Sequence, residues 1–258
     1  MLGRIIVIAT NVFREVIRDR ILYLVGVYAI ALVAVGRLLP DIAASAESKI
    51  LLDVGLAAIS LVGLVIAVFI GTALVNKEIE KRTVYVLIAK PVSRLEFIVG
   101  KHLGLSGVLA VLVAAMTLIY MLVLQVYRTP FPASSIGIAA LFQFLELSLI
   151  TAVAILFGVF TSPLLATLMT VAVYLMGQSS RDLLALGALS DNAGFQRATE
   201  AFYLVLPDLA RLNLKNQAVY GIELLPDPLQ LVANGVYAVV YIALLLAIAT
   251  LIFSRRQF

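Results

Sequence analysis

NKEIEKRTVYVLIAKPVSRLEFIVGK, residues 76–101, gathers six cations (Lys77, Lys81, Arg82, Lys90, Arg94 and Lys101) and three carboxylates (Glu78, Glu80 and Glu96) into one island. The apolar runs on either side, 54–75 and 103–126, carry no charge at all. Each run meets the length of about 20 residues needed to cross a hydrocarbon core about 30 Å thick. Within the island, Pro91 disfavours helical backbone at Lys90, so a helix begun at Glu78 ends there. Ser93-Arg94-Leu95-Glu96 has the form of a capping box, in which the serine oxygen caps the third residue's amide and the glutamate reaches back to the serine amide. The stretch therefore reads as a helix, a tight Lys90-Pro91-Val92 turn and a second helix that runs on into the next apolar segment.

Working outward, the whole chain shares the character of the flanking runs. Of its 258 residues, 63% are hydrophobic and 13% are charged, against about 25% charged in an ordinary soluble domain, and the mean hydropathy is +1.10. This composition excludes a soluble globular protein. Having no cysteine excludes disulfides and thiolate metal sites, and a single histidine, His102, leaves little for a haem or zinc centre. Six spans follow from the apolar runs at 21–39, 54–75, 103–126, 136–160, 164–180 and 229–253. Their length and lack of period-2 alternation predict helices over barrel strands, since every backbone amide must be satisfied without water. The fifth is the shortest, reaching about 25 Å at 1.5 Å per residue, so it thins the bilayer or stops short of the far face. The fold class is thus all-α, in a single membrane domain covering residues 1–258.

The cations set the orientation. With a cytoplasmic N-terminus, twelve of the nineteen lysines and arginines fall inside, in residues 1–20, the island 76–102 and the C-terminal tail; four of the seven outside lie in one long loop, 181–228, where the charge rule is weak. Both termini are therefore expected to be cytoplasmic, in a multi-pass protein of the plasma (inner) membrane. Residues 1–20 form an amphipathic helix, with Asn11, Arg14, Glu15 and Arg18 on one face and Ile5, Ile8, Val12 and Val16 on the other, expected to lie in the inner interface near anionic head groups. A basic start followed by an apolar run and Ala44-Ser45-Ala46 imitates a secretory signal, but Glu15 and Asp19 in the leading region favour an uncleaved first helix. In the long loop, Phe195, Thr199, Phe202 and Leu206 repeat at helical spacing before Pro207, predicting an interfacial helix over the outer mouth.

Taken together, Glu78, Glu80, Thr83, Leu87, Pro91, Val92, Ser93, Arg94, Gly100 and Lys101 resemble the cytoplasmic loop of type-2 ABC exporter permeases, which has the form E-x-E-x-x-T, L-x-x-x-P-V-S-R and G-K. FREVIRDRILYL (13–24) is similar to that family's entry to its first helix, and FTSPLLATLMTVAVYLMGQ (160–178) to the turn between its fourth and fifth. Arg82 departs from the pattern, standing where many members have glycine. The resemblance implies a permease working as a dimer, with an identical or paralogous second copy, each seated on one of two cassette ATPases. It implies a cytoplasmic coupling helix in the loop 76–102, with Glu78, Glu80, Lys81, Arg82, Thr83, Lys90, Pro91, Val92, Ser93 and Arg94 meeting the ATPase. Because the chain contains no G-x-x-x-x-G-K-[ST] sequence, ATP and magnesium are expected on the partner and no cofactor on this chain. No nucleic acid is expected as a partner.

Few polar residues stand inside the spans. Glu146 lies ten residues into the run that opens at Ile136, about 15 Å along a helix, and an intramembrane carboxylate is by default a functional candidate. The resemblance implies that the second and fifth spans line the dimer interface, which adds Ser60, Thr72, Thr167, Thr170, Tyr174 and Gln178 as pathway candidates; packing by small hydroxyl residues is the plainer account of them. Neither span holds a charge, which favours a lipid-like or amphipathic cargo over a small multivalent ion. Thr161-Ser162-Pro163 predicts a tight turn with Ser162 as cap and Pro163 at the first helical position. Two other readings compete. Gly104-Leu105-Ser106-Gly107 with His102 has the form of an intramembrane serine protease motif, although both side chains sit on one helix, where the glycines serve close packing more naturally. A non-transporting membrane scaffold would need no ATPase.

Overall fold

The structure, a computed structural model, describes residues 1–42, 46–80 and 93–255. Among these the secondary structure is helical throughout: α1 (Leu2–Val16), a π-helical turn (Ile17–Ile21), α2 (Leu22–Ile42), α3 (Glu47–Glu80), α4 (Arg94–Val126), α5 (Ala133–Phe160), α6 (Pro163–Gln178), α7 (Ser180–Ala188), α8 (Ala193–Val205), α9 (Lys215–Tyr220) and α10 (Pro228–Arg255), with 3-10 turns at Leu209–Arg211 and Ile222–Leu224. Five helices, α2, α3, α4, α5 and α10, are long and apolar enough to cross a membrane. The sixth expected crossing is not among them, since α6 has only 16 residues.

The bundle is built around α5. It packs against α3, α4, α6, α9 and α10, and Leu147, Leu149, Ile150, Ala152, Ala154 and Ile155 along it are fully buried. Glycines let the helices approach: Gly63 faces Leu147, and a Cβ at Gly71 would lie 2.8 Å from that of Ala154. Backbones brought this close gain dispersion contacts that lipid cannot supply as well. At the end remote from residues 76–102, called here the far end, the fully buried Tyr120 donates its hydroxyl to the Leu52 carbonyl at 2.9 Å and Tyr127 donates to Val33 at 3.0 Å, tying α4 to α3 and α2.

At the opposite end, the loop end, α1 lies along the first turns of α4. Gly100, Gly104 and Gly107 form a stripe that receives Ile8, Val12 and Phe13. Val12 and Val16 are buried and Ile5 and Ile8 partly so, while Asn11, Arg14, Glu15 and Arg18 are exposed. The capping box forms as expected: the Ser93 side chain accepts from the Glu96 amide (3.2 Å) and the Ser93 amide donates to Glu96 Oε2 (2.8 Å). Ser162, by contrast, makes no side-chain cap bond although Pro163 does open α6; its neighbour Thr161 instead donates to the Phe157 carbonyl at 2.8 Å.

The short α6 shapes the far end. Starting beside the end of α5 and running antiparallel to it, α6 climbs about 24 Å at 1.5 Å per residue, ending at Gln178 level with Glu146. α5 is also met by α9. The segment expected as an outer loop thus folds back into the bundle, burying Leu209, Leu212, Leu214 and Ala218. The expected helix around Phe202 is α8, capped by Asn192, whose side chain accepts from Gly194 (2.9 Å) and Phe195 (3.2 Å). It packs on α7, where Gly187 leaves room for Thr199.

Asp208 pins this segment. Ser180 donates to its Oδ1 at 3.1 Å, Arg181 and Arg211 donate to its Oδ2 at 3.1 and 2.8 Å, and its amide donates to the Tyr237 hydroxyl on α10 at 2.8 Å. Burial pushes the carboxyl up, but the Arg211, Arg181 and Ser180 donors together outweigh it and hold the group below the usual carboxylate value. A depressed carboxyl contributes stability above its unfolded value and loses it as pH falls through the folded one. Asp208→Asn is therefore expected to cost about 1–2 kcal/mol at pH 7, discounted for the partly exposed arginines. In thermal melts, the gap between wild type and variant should hold from pH 7 to about 4 and close below that.

Candidate functional site

Four of the sequence-nominated pathway residues converge on one buried polar cluster. Glu146, 0% exposed, accepts through Oε1 from Gln178 Nε2 at 2.6 Å. The Gln178 Oε1 in turn accepts from Asn213 Nδ2 at 3.0 Å, which fixes the orientation of the amide. On the neighbouring α3, Ser60 Oγ accepts from Lys215 Nζ at 2.7 Å. Tyr174 lies beside Ser60 and Gln178. The cluster therefore joins α3, α5, α6 and the segment at the start of α9. Burial pulls the Lys215 ammonium below the ordinary lysine value, and the Glu146 carboxylate acts in the opposite direction.

Asn213 and Lys215 are absent from the residues nominated by sequence. They read there as members of a charged outer loop, and the signal that relocates them is the apolar set Leu209, Leu212, Leu214 and Ala218 around them, at spacings suited to short helical turns. The remaining nominees lie apart. Thr72 and Thr167 meet at 3.2 Å between α3 and α6, each also donating to a carbonyl of its own helix (Val68 and Pro163, both 2.9 Å). Thr170 donates to Ala166 of its own helix at 2.7 Å and is fully buried. Thr72 and Thr167 form a packing contact between helices, as small hydroxyl residues do in membrane bundles.

At the loop end, Lys81, Arg82, Thr83, Lys90, Pro91 and Val92 lie outside the described residues, as does most of the expected coupling helix. Glu78 and Glu80 occupy the last turn of α3. Ser93 caps α4, and Arg94, although exposed, reaches across to α10: its Nη1 donates to the Phe253 carbonyl at 2.7 Å and its guanidinium lies 5.9 Å from the Phe253 ring. Phe97 stacks on that ring at 5.7 Å. Arg94, nominated as an ATPase contact, thus clasps α10 to the start of α4.

Ser106 and His102 do meet, at 3.5 Å, but in a closed interior. His102 Nε2 lies 3.0 Å from the Ser148 carbonyl, an acceptor, so that nitrogen carries the proton and cannot take one from Ser106. Ser106 pairs with the Ser148 hydroxyl at 2.9 Å. The geometry is that of a packing contact between α4 and α5, without a base for the serine. Among the described residues, no group of three or more metal-ligating side chains comes together.

A bundle of long apolar helices enclosing a small polar core defines an integral membrane protein. The sequence matches the ABC-2 family transporter protein across residues 6–258, and the chain belongs to that family. It is a transmembrane permease of the ABC-2 type. No curated protein matches this sequence.

Proposed function

We propose that this chain is the membrane-spanning subunit of an ABC exporter, pairing with a second permease and coupled to two separate cassette ATPases through residues 76–102. The observation that carries the proposal is the charged island itself, standing in a chain that belongs to the ABC-2 family along almost its whole length. Lacking a phosphate-binding loop, the chain takes its energy from ATP and magnesium held on the partner. In this reading the loop end and both termini face the cytoplasm. A push on the loop reaches α3 and α4 directly; Arg94 passes it to α10, and the glycine stripe passes it to α1. The pathway candidates Ser60, Glu146, Tyr174 and Gln178 lie beyond, with Thr72, Thr167 and Thr170 nearer the loop end.

The test is an affinity pull-down of tagged protein from mildly solubilised native membranes, comparing wild type with Glu78→Ala/Pro91→Gly/Arg94→Ala. A cassette ATPase is expected to co-purify with wild type and to be reduced at least tenfold with a variant that still melts cooperatively. Failure of any ATPase to co-purify, even after crosslinking, would move the non-transporting scaffold ahead.

A further inference from the structure

The buried polar cluster holds more acceptor capacity than its own partners use. Glu146 is fully enclosed, yet only Oε1 is engaged; Oε2 has no hydrogen-bond partner among the described residues. An ionised carboxylate offers about four lone-pair sites, and a buried polar atom without a partner is rare enough to require a reason. Close by, an ammonium is already present. Lys215 donates one of its three N–H groups to Ser60 Oγ at 2.7 Å, and the Glu146 charge acts on it. Ser60 thus accepts a primary ammonium group directly, within a buried cluster in which Glu146 keeps an unpartnered oxygen to supply the opposing charge.

The ammonium arrives on a short segment anchored at one end by Asp208. Lys215 is the first residue of α9, a helix of six residues flanked by 3-10 turns. At its other end Gly221 has φ +113°, a backbone region closed to most residues that gives the segment a natural swing point. Polar attachment of its leading end to the cluster consists of the Lys215–Ser60 and Asn213–Gln178 bonds. Lys215 is half-buried, so its stem marks an open side of the cluster. One turn from Gln178, α6 exposes Leu175, a surface suited to an alkyl chain.

We propose that Ser60, Glu146, Tyr174 and Gln178 form a membrane-embedded receptor for a primary ammonium group, occupied here by the chain's own Lys215, which an amine-bearing amphiphilic cargo displaces. The receptor stands on this geometry alone; naming it a cargo site rests on the permease reading given above.

The experiment uses the purified full chain in lipid nanodiscs, with hexylammonium as probe and 1-hexanol as its neutral counterpart. In Lys215→Ala, hexylammonium should raise the melting temperature saturably and hexanol should not, and the rise should vanish when Glu146→Gln is added. In wild type, hexylammonium should speed amide exchange across residues 209–220 by displacing Lys215. Equal effects of amine and alcohol, no effect of either, or a rise that survives Glu146→Gln overturns the receptor. Unchanged exchange in wild type overturns displacement, and this arm decides alone if Lys215→Ala does not fold. No ATPase takes part, so a negative result here is separable from a failed co-purification, which would instead remove the transport reading.

Discussion

Lys215→Ala is expected to lower the stability of the folded chain by about 3 kcal/mol, and Glu146→Gln in the same chain to return more than half of that loss. The asymmetry follows from charge. Taking away the ammonium removes the cation whose field reaches Glu146 and leaves a fully enclosed carboxylate whose second oxygen has no donor among the described residues, and an uncompensated charge in such a place is costly. Replacing the carboxylate by an amide removes that penalty while keeping an oxygen for Gln178 Nε2 to meet. Thermal melts of both single variants and the double variant give the coupling energy directly. Additive losses would show that Lys215 serves only as a packing stem against α3 and that Glu146 does not sense it.

The second large effect is steric. A Cβ at Gly104 would lie 2.6 Å from Val12 Cβ and 2.7 Å from the Ala9 carbonyl oxygen, so α1 must move before even alanine fits. Gly104→Ala is expected to cost about 2 kcal/mol and Gly104→Leu to undock α1 altogether. Gly107→Ala, whose nearest neighbour is the Phe13 ring at 3.4 Å, should be nearly neutral. Gly26→Ala meets nothing within 4 Å and should stabilise by up to about 1 kcal/mol through helix propensity alone. Limited trypsin digestion at Arg14 and Arg18 reports the undocking, with cleavage fast in Gly104→Leu and slow in Gly107→Ala and wild type. Equal cleavage in all of them would mean that the glycine stripe does not hold α1.

What the sequence showed and what it hid have separate physical causes. Apolar runs must be helical in lipid, so the helices were legible, and the capping box at Ser93 was legible because it depends on four consecutive residues. The fate of the sixth crossing was not. Whether a 16-residue apolar helix spans or stops depends on what completes the layer beyond it, here α9 and its 3-10 turns. Lys215 looked like a loop charge because its partner Ser60 lies 155 residues away, and Asp208 because, Arg211 apart, its side-chain partners Ser180 and Arg181 lie 28 and 27 residues away, beyond any local pattern. Arg94 adds a bond that its place in a family motif does not announce: its Nη1 donates to the Phe253 carbonyl 159 residues away, while the residue stays exposed.

The central claim is that a separate ATPase engages residues 76–102, and the absence of native cysteine makes a direct measurement simple. Ala89→Cys in the island and Leu189→Cys at the far end, where Leu189 is 83% exposed, are each treated with a short bifunctional crosslinker in native membranes. The account predicts an adduct with a cassette ATPase from Ala89→Cys and none from Leu189→Cys. An adduct from the far-end position, or none from the island when the ATPase is present, would contradict it.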